Sequence, residues 1–86
     1  MTYHVEFTSA AARQIRKLPP PIRVRILDAT ARLADEPRPV GSRKLVGEDH
    51  AWRIRVGEYR VIYDVVDDVL TVTVVRAAHR REVYDR

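Results

Sequence analysis

The chain has no cysteine, so neither disulfides nor thiolate-metal sites can reinforce its core, which must hold by side-chain packing alone. It has only three glycines, Gly41, Gly47 and Gly57, and their spacing builds no phosphate-cradling loop, which argues against dinucleotide and nucleoside triphosphate cofactors. Neither Ser9 nor Ser42 sits in a nucleophile-elbow context. The histidines His4, His50 and His79 are scattered, and no metal-ligand spacing joins them. We therefore expect no cofactor and no metal. No apolar run is long enough to span a membrane, and no segment follows the pattern of a secretory signal, so the expected location is cytoplasmic, away from membranes. Lysine is scarce as well, confined to Lys17 and Lys44.

What stands in lysine's place is arginine. The net charge is +4, and the basic side chains are nearly all guanidinium groups. A planar fork of donors suits bidentate phosphate contacts and stacking on bases, so the bias points toward nucleic acid. GC-rich coding also enriches arginine, so the positions of the arginines must decide. With 86 residues and 45% hydrophobic side chains, the expectation is one domain, 1–86, around a single modest core.

The chain opens with an alternating stretch, Tyr3 to Phe7, whose period is that of a half-buried strand. Thr8 or Ser9 can cap a helix that runs to Leu18, with Ala11, Ile15 and Leu18 on one stripe, and Pro19 to Pro21 end it. A second helix from about Pro21 to Asp35 places Ile22, Ile26, Ala29 and Leu33 at helical spacing. A loop follows over Glu36 to Arg43. Strands are then expected around Lys44 to Val46, over Ala51 to Val56, Tyr59 to Val66, and Val69 to Arg76, with turns at Gly57-Glu58 and Asp67-Asp68. This order predicts an α+β fold: an N-terminal strand, a helical hairpin, then an antiparallel meander of three to four strands with both helices on one sheet face.

A two-residue turn at Gly57-Glu58 fixes a register in which Val56 faces Tyr59, Arg55 faces Arg60, Ile54 faces Val61, and Arg53 faces Ile62. Trp52, Ile54, Val56, Tyr59, Val61, Tyr63 and Val65 then share one side, joined by Leu70, Val72 and Val74. Arg53, Arg55 and Arg60 share the other. Arg55 opposite Arg60 is a like-charge pair, destabilising unless an anion sits between them. Asp64 and Glu58 can temper it, in which case the face is simply solvated; three converging arginines with few acids favour an anion site. Beyond the last strand, the segment His79-Arg80-Arg81-Glu82-Val83-Tyr84 adds basic groups, an imidazole and a phenol beside the same meander.

Trp52-Arg53-Ile54-Arg55-Val56-Gly57-Glu58-Tyr59-Arg60-Val61-Ile62-Tyr63, followed by His79-Arg80-Arg81-Glu82-Val83-Tyr84, resembles the signature of the RelE/ParE toxin superfamily. The likeness extends to the strand at Tyr3 to Phe7, to Arg16-Lys17-Leu18-Pro19, and to Lys44-Leu45-Val46-Gly47. It implies the toxin of a type II toxin-antitoxin system, and in the RelE branch a ribosome-dependent, metal-independent endonuclease that cuts mRNA by 2′-hydroxyl attack. Carried over by position, Arg60, Arg80 and Tyr84 are implied as catalytic. Arg53, Arg55, Lys44, His79 and Arg81 are implied as RNA- or phosphate-binding. Arg53 and Arg55 stand where the best-known members have lysines. Arginine stays charged at any relevant pH, so these two bind and stabilise while Tyr84 or His79 is left for proton transfer. The implied partners are a cognate RelB-like antitoxin, the ribosome and mRNA, with operator DNA reached only through the antitoxin.

Two other readings use the same residues. A ParE-like toxin on this scaffold binds DNA gyrase and does no RNA chemistry; the arginine trio and Tyr84 argue against it, an argument that the missing lysines weaken. A non-catalytic nucleic-acid-binding protein is the other, with Arg23, Arg25 and Arg32 on the second helix. The Pro19 to Pro21 corner lacks the glycine-containing turn of a helix-turn-helix, so those arginines fit better as a solvated face or a contact to an acidic antitoxin.

Overall fold

The computed structural model describes residues 2–84, with side chains through Glu82. Strand β1 (His4–Phe7) is followed by helices α1 (Ser9–Arg16) and α2 (Pro20–Arg32), then β2 (Arg43–Lys44), β3 (Ala51–Val56), β4 (Tyr59–Val66), β5 (Thr71–His79) and a last helix α3 (Arg80–Tyr84). One five-stranded sheet forms in the order β1-β5-β4-β3-β2. The meander is antiparallel and β1 lies parallel to β5, so the α+β architecture expected from the sequence is the one present.

The hydrophobic pattern explains the layering. Ala11 and Ile15 of α1 and Ile26 of α2, with Leu33 at its C-terminal cap, are buried against Ile54, Val56, Val61, Tyr63, Val65, Val72, Val74 and Ala77, all from one face of the sheet. Thr8 is the cap of α1: its hydroxyl accepts from the Ala11 N–H at 3.1 Å. Both helices end earlier than their apolar spacing suggests. Leu18, Ile22 and Ala29 are only partly buried against the core, while Leu33, just past the end of α2, is fully buried.

The fifth strand departs from expectation at both ends. The Asp67-Asp68 turn is a short 3-10 helix over Asp67–Val69, with Leu70 held at φ 48. That conformation takes Leu70 out of the core face where the sequence reading put it. The strand therefore starts at Thr71, and it runs on to His79 because Tyr59 pairs with His79.

Between these ends the ladder skips a residue: Tyr63 pairs with Val74 and Ile62 with Arg76, so Val75 is a bulge. One extra residue reverses which face the following side chains occupy. Ala77 goes to the core, and Arg76 and Ala78 go to the outer face. The bulge sits where β1 ends and α1 takes its place along the edge of β5. There the Gln14 side-chain oxygen of α1 accepts the Ala77 N–H at 2.9 Å, a donor that no strand can reach.

The loop between α2 and β2 is fastened across the sheet. Tyr63, fully buried with its phenol pushed up to about 12 by burial, donates to the Pro37 carbonyl at 2.8 Å. Arg38 lies 5.3 Å from the centre of the Trp52 ring and donates to Asp67 at 2.8 Å, and the Tyr3 hydroxyl donates to the same carboxylate at 2.6 Å. Arg38, and then Tyr3, hold Asp67 below the usual carboxylate value of 3.8.

Two outcomes follow for stability. Gln14→Leu strands the buried Ala77 N–H and is expected to cost about 1–3 kcal/mol in a urea melt, far more than a surface change. A carboxylate with a depressed folded pKa stabilises the fold above its unfolded value, and that contribution is lost as pH falls through the folded one. Wild type should therefore lose melting temperature on acidification below about 3.8 more steeply than Asp67→Asn.

Candidate anion-binding face and its C-terminal helix

The register predicted from the Gly57 turn is the register present, with Arg55 opposite Arg60 and Arg53 opposite Ile62. One strand further out, Arg43 pairs with Arg53. Directly opposed residues project from the same face. The outer face thus carries two neighbouring rows: Arg43, Arg53, Ile62 and Arg76 in one, and Arg55, Arg60 and Ala78 in the other. Gly41, Arg43, Arg53, Arg55 and Arg60 together line a hollow of about 270 Å³.

The arginines are held differently. Arg60 is 7% exposed, whereas Arg43 and Arg55 are exposed, with the Arg55 Nε donating to the Gly57 carbonyl at 3.1 Å. Helices α1 and α2 lie on the opposite side of the sheet, so the burial of Arg60 and Ala78 reflects the return of α3 against β4 and β5. The Arg76 guanidinium, turned outward by the bulge, donates to the Glu82 carbonyl of α3 at 3.4 Å. At the other end, the Arg80 backbone N–H donates to the Glu58 carbonyl at 2.8 Å and the Arg80 Nε pairs with the Glu58 carboxylate at 3.0 Å. The short helix is therefore tied to the sheet at both ends.

His79 takes a role that the sequence reading did not assign to it. Its Nδ1 accepts the Arg81 N–H at 3.3 Å, and Glu82 Oε1 accepts the His79 N–H at 3.2 Å. This is a capping box in which an imidazole replaces the usual hydroxyl. The other face of the ring meets Tyr59 edge-on, with centroids 5.4 Å apart. His79 thus starts α3 from the core side of the sheet, and the structure does not bring it to the arginines.

Nor does the structure bring Lys44 there. It pairs with Trp52, on the helix-covered face, and its ammonium donates to the Glu48 and Asp49 carbonyls at 2.8 Å each, closing the loop before β3. Arg81 is exposed on α3. The Tyr84 backbone completes α3, and its side chain lies outside the described residues. Arg53, Arg55 and Arg60 converge as expected, and Arg80 joins them only through the Glu58 turn.

Comparison with known proteins fits this arrangement. A family model described as the ParE toxin of type II toxin-antitoxin systems matches residues 5–84. The chain belongs to the RelE/ParE toxin family. It is 39% identical to the toxin RelG of Mycobacterium tuberculosis over 90 residues, covering the whole of both chains. Among solved structures, it superposes on a chain of the M. tuberculosis RelBE2 toxin-antitoxin complex with a TM-score of 0.80 at 34% identity, covering 93% of each chain. It superposes on a chain of the archaeal RelE-RelB complex of Pyrococcus horikoshii with a TM-score of 0.83 at 29% identity, covering 93% of this chain and 97% of that one.

Within this family member, Arg43 and Arg76 are basic residues of the outer face that the sequence reading did not place there. Arg43 was legible in principle: starting the second strand one residue earlier places it opposite Arg53. Arg76 was not, since plain alternation puts it beside Val72 and Val74 in the core, and only the Val75 bulge reverses it.

The capping role of His79 has a direct check. His79→Ala should cost about 1 kcal/mol of local stability in α3, read as faster amide exchange at residues 81–83, and His79→Asn, a good cap, should restore most of it. Equal damage from both variants would instead assign the ring's contribution to its edge-on contact with Tyr59.

Proposed function

We propose that the protein is a ribosome-dependent mRNA endonuclease, the toxin of a type II toxin-antitoxin pair. The observation that carries this reading is the convergence of Arg43, Arg53, Arg55 and Arg60 on one hollow, beside the helix that bears Tyr84. In the proposed reaction the 2′-hydroxyl attacks the adjacent phosphate. The O2′–P bond forms as the P–O5′ bond breaks, leaving a 2′,3′-cyclic phosphate and a 5′-hydroxyl. Such a step needs stabilisation of the phosphorane charge and groups that take and give a proton.

Arg60 is the proposed main stabiliser, because a buried guanidinium on the floor of the cleft is preorganised and poorly screened. Arg55 and Arg53 add planar guanidinium forks suited to phosphate oxygens. Arg80, tied to Glu58, holds the start of α3 and contributes positive charge at the rim. Tyr84 acts as base or orients the nucleophile. His79 and Lys44, occupied elsewhere, are not assigned to RNA contact, while Arg81 remains a candidate for it at the exposed start of α3.

The solved relatives from M. tuberculosis and P. horikoshii are toxin-antitoxin complexes. By extension the partner proposed here is a RelB-like antitoxin with an acidic, partly apolar toxin-binding segment, through which any contact with operator DNA would run. One observation favours a second reading, the ParE-like toxin directed at DNA gyrase that the sequence resemblance leaves open: the matching family model carries the ParE description. The two readings share the fold and differ in the site.

In vitro translation with purified toxin, followed by primer extension on the mRNA, separates them. Ribosome-dependent cuts are expected, weakened by about 10² to 10³-fold in Arg60→Ala and by about 10²-fold in Tyr84→Phe, with unchanged melting curves confirming that the variants are folded. Intact mRNA from wild type, together with inhibition of gyrase supercoiling, would favour the ParE reading.

A further inference from the structure

The paired rows of arginines say more than that the face is basic. Arg43 opposite Arg53 and Arg55 opposite Arg60 are two directly opposed like-charge pairs on the same side of the sheet. Each is destabilising in isolation. They lie two residues apart along β3, which the rise of a strand converts to about 7 Å. A ribose-phosphate backbone carries one phosphate to the next over a comparable distance. All four side chains line a single hollow with Gly41. Nothing lies within 4 Å of where a side chain on Gly41 would begin, so the mouth of the hollow is open on that side. Arg43 is exposed and makes no ion pair among the described residues.

We propose that Arg43 and Arg53 form a second phosphate subsite, which binds the backbone phosphate one nucleotide away from the scissile phosphate held over Arg55 and Arg60. The inference rests on the ribonuclease reading above. The regular spacing suits a polyanion with a fixed phosphate repeat, and the second pair sets the direction in which the strand crosses the sheet, from the buried Arg60 toward the β2 edge. With no lysine on this face, every contact is a planar fork able to grip two phosphate oxygens at once.

The test couples a protein change to a change in the RNA. Programmed ribosomes carry mRNAs in which the phosphate on one or the other side of the cleavage site is replaced by a neutral methylphosphonate, and single-turnover cleavage is followed at subsaturating toxin. Arg43→Gln on normal mRNA and wild type on one of the two methylphosphonate mRNAs should each lose roughly tenfold in rate, the scale of one charge-assisted contact. Combining the two should cost little more than either alone, because both remove the same interaction. Arg60→Gln, acting at the scissile phosphate, should instead multiply with the methylphosphonate loss. Multiplicative losses for Arg43→Gln on both mRNAs, or no loss at all, would overturn the subsite while leaving the nuclease reading intact. A wild type that cuts none of the mRNAs would overturn both, and so the two failures are distinguishable. Arg43→Lys serves as a folding control and should recover part of the rate, since it keeps the charge and loses the fork.

Discussion

The burial of one sheet face forces the charges of the other face together. Ile54, Val56, Val61, Tyr63 and Val65 must all turn toward the helices, which leaves β3 and β4 one register, and in that register Arg55 cannot avoid Arg60. Sliding the pairing by one residue would separate the guanidinium groups but would turn the whole apolar set out to water. Each fully buried aliphatic side chain contributes about 1.5–3 kcal/mol, whereas an opposed like-charge pair costs up to about 1 kcal/mol. Packing therefore wins, and repulsion on the outer face is the standing consequence of a well-ordered core.

Two devices then refine what that face presents. The bulge at Val75 turns Arg76 outward, and its neighbours in α1, Thr8 at the cap and Gln14 in the next turn, sit where β1 can no longer pair with β5. The loop after α2 is held by Tyr63, Arg38 and Trp52, and this fixes where Gly41 and Arg43 enter the cleft. Neither device touches the proposed substrate. Both act by fixing backbone, so their loss would displace several arginines together instead of removing one contact.

Much of this was legible in the sequence where a period and a turn agreed. The Gly57 turn with alternating residues on each side predicted the β3–β4 register residue by residue, and the helix stripes predicted the core partners Ala11, Ile15, Ile26 and Leu33. What stayed hidden depended on tertiary competition. Alternation carries no sign of a bulge, and continued past Val74 it would turn Arg76 into the core, so the outward position of Arg76 was not legible. Asp67-Asp68 has no glycine to take a positive φ, and the turn passes that conformation on to Leu70. A histidine followed three residues later by a glutamate reads as two polar side chains in a basic tail; only the three-dimensional pairing reveals a capping box. The family likeness supplied roles by position, and geometry then separated Lys44 and His79 from the arginines they had been grouped with.

That separation bears on how such a site can work without lysine. With arginines at positions 53 and 55 and the His79 Nδ1 engaged in capping, the proposed reaction divides positive charge and proton transfer between different elements: the sheet for the first, and α3, which carries Tyr84, for the second. The sheet's share is rigid, since it is built on paired strands with a packed core beneath them. The share of α3 depends on a helix of five residues, too short to be stable by itself, whose place rests on the His79-Glu82 cap, the Arg80-Glu58 pair and the Arg76 hydrogen bond. Three of the basic residues around the cleft or its tail thus hold α3 against the sheet, and an element of this length is the natural point at which a partner of the proposed kind would act without disturbing the fold.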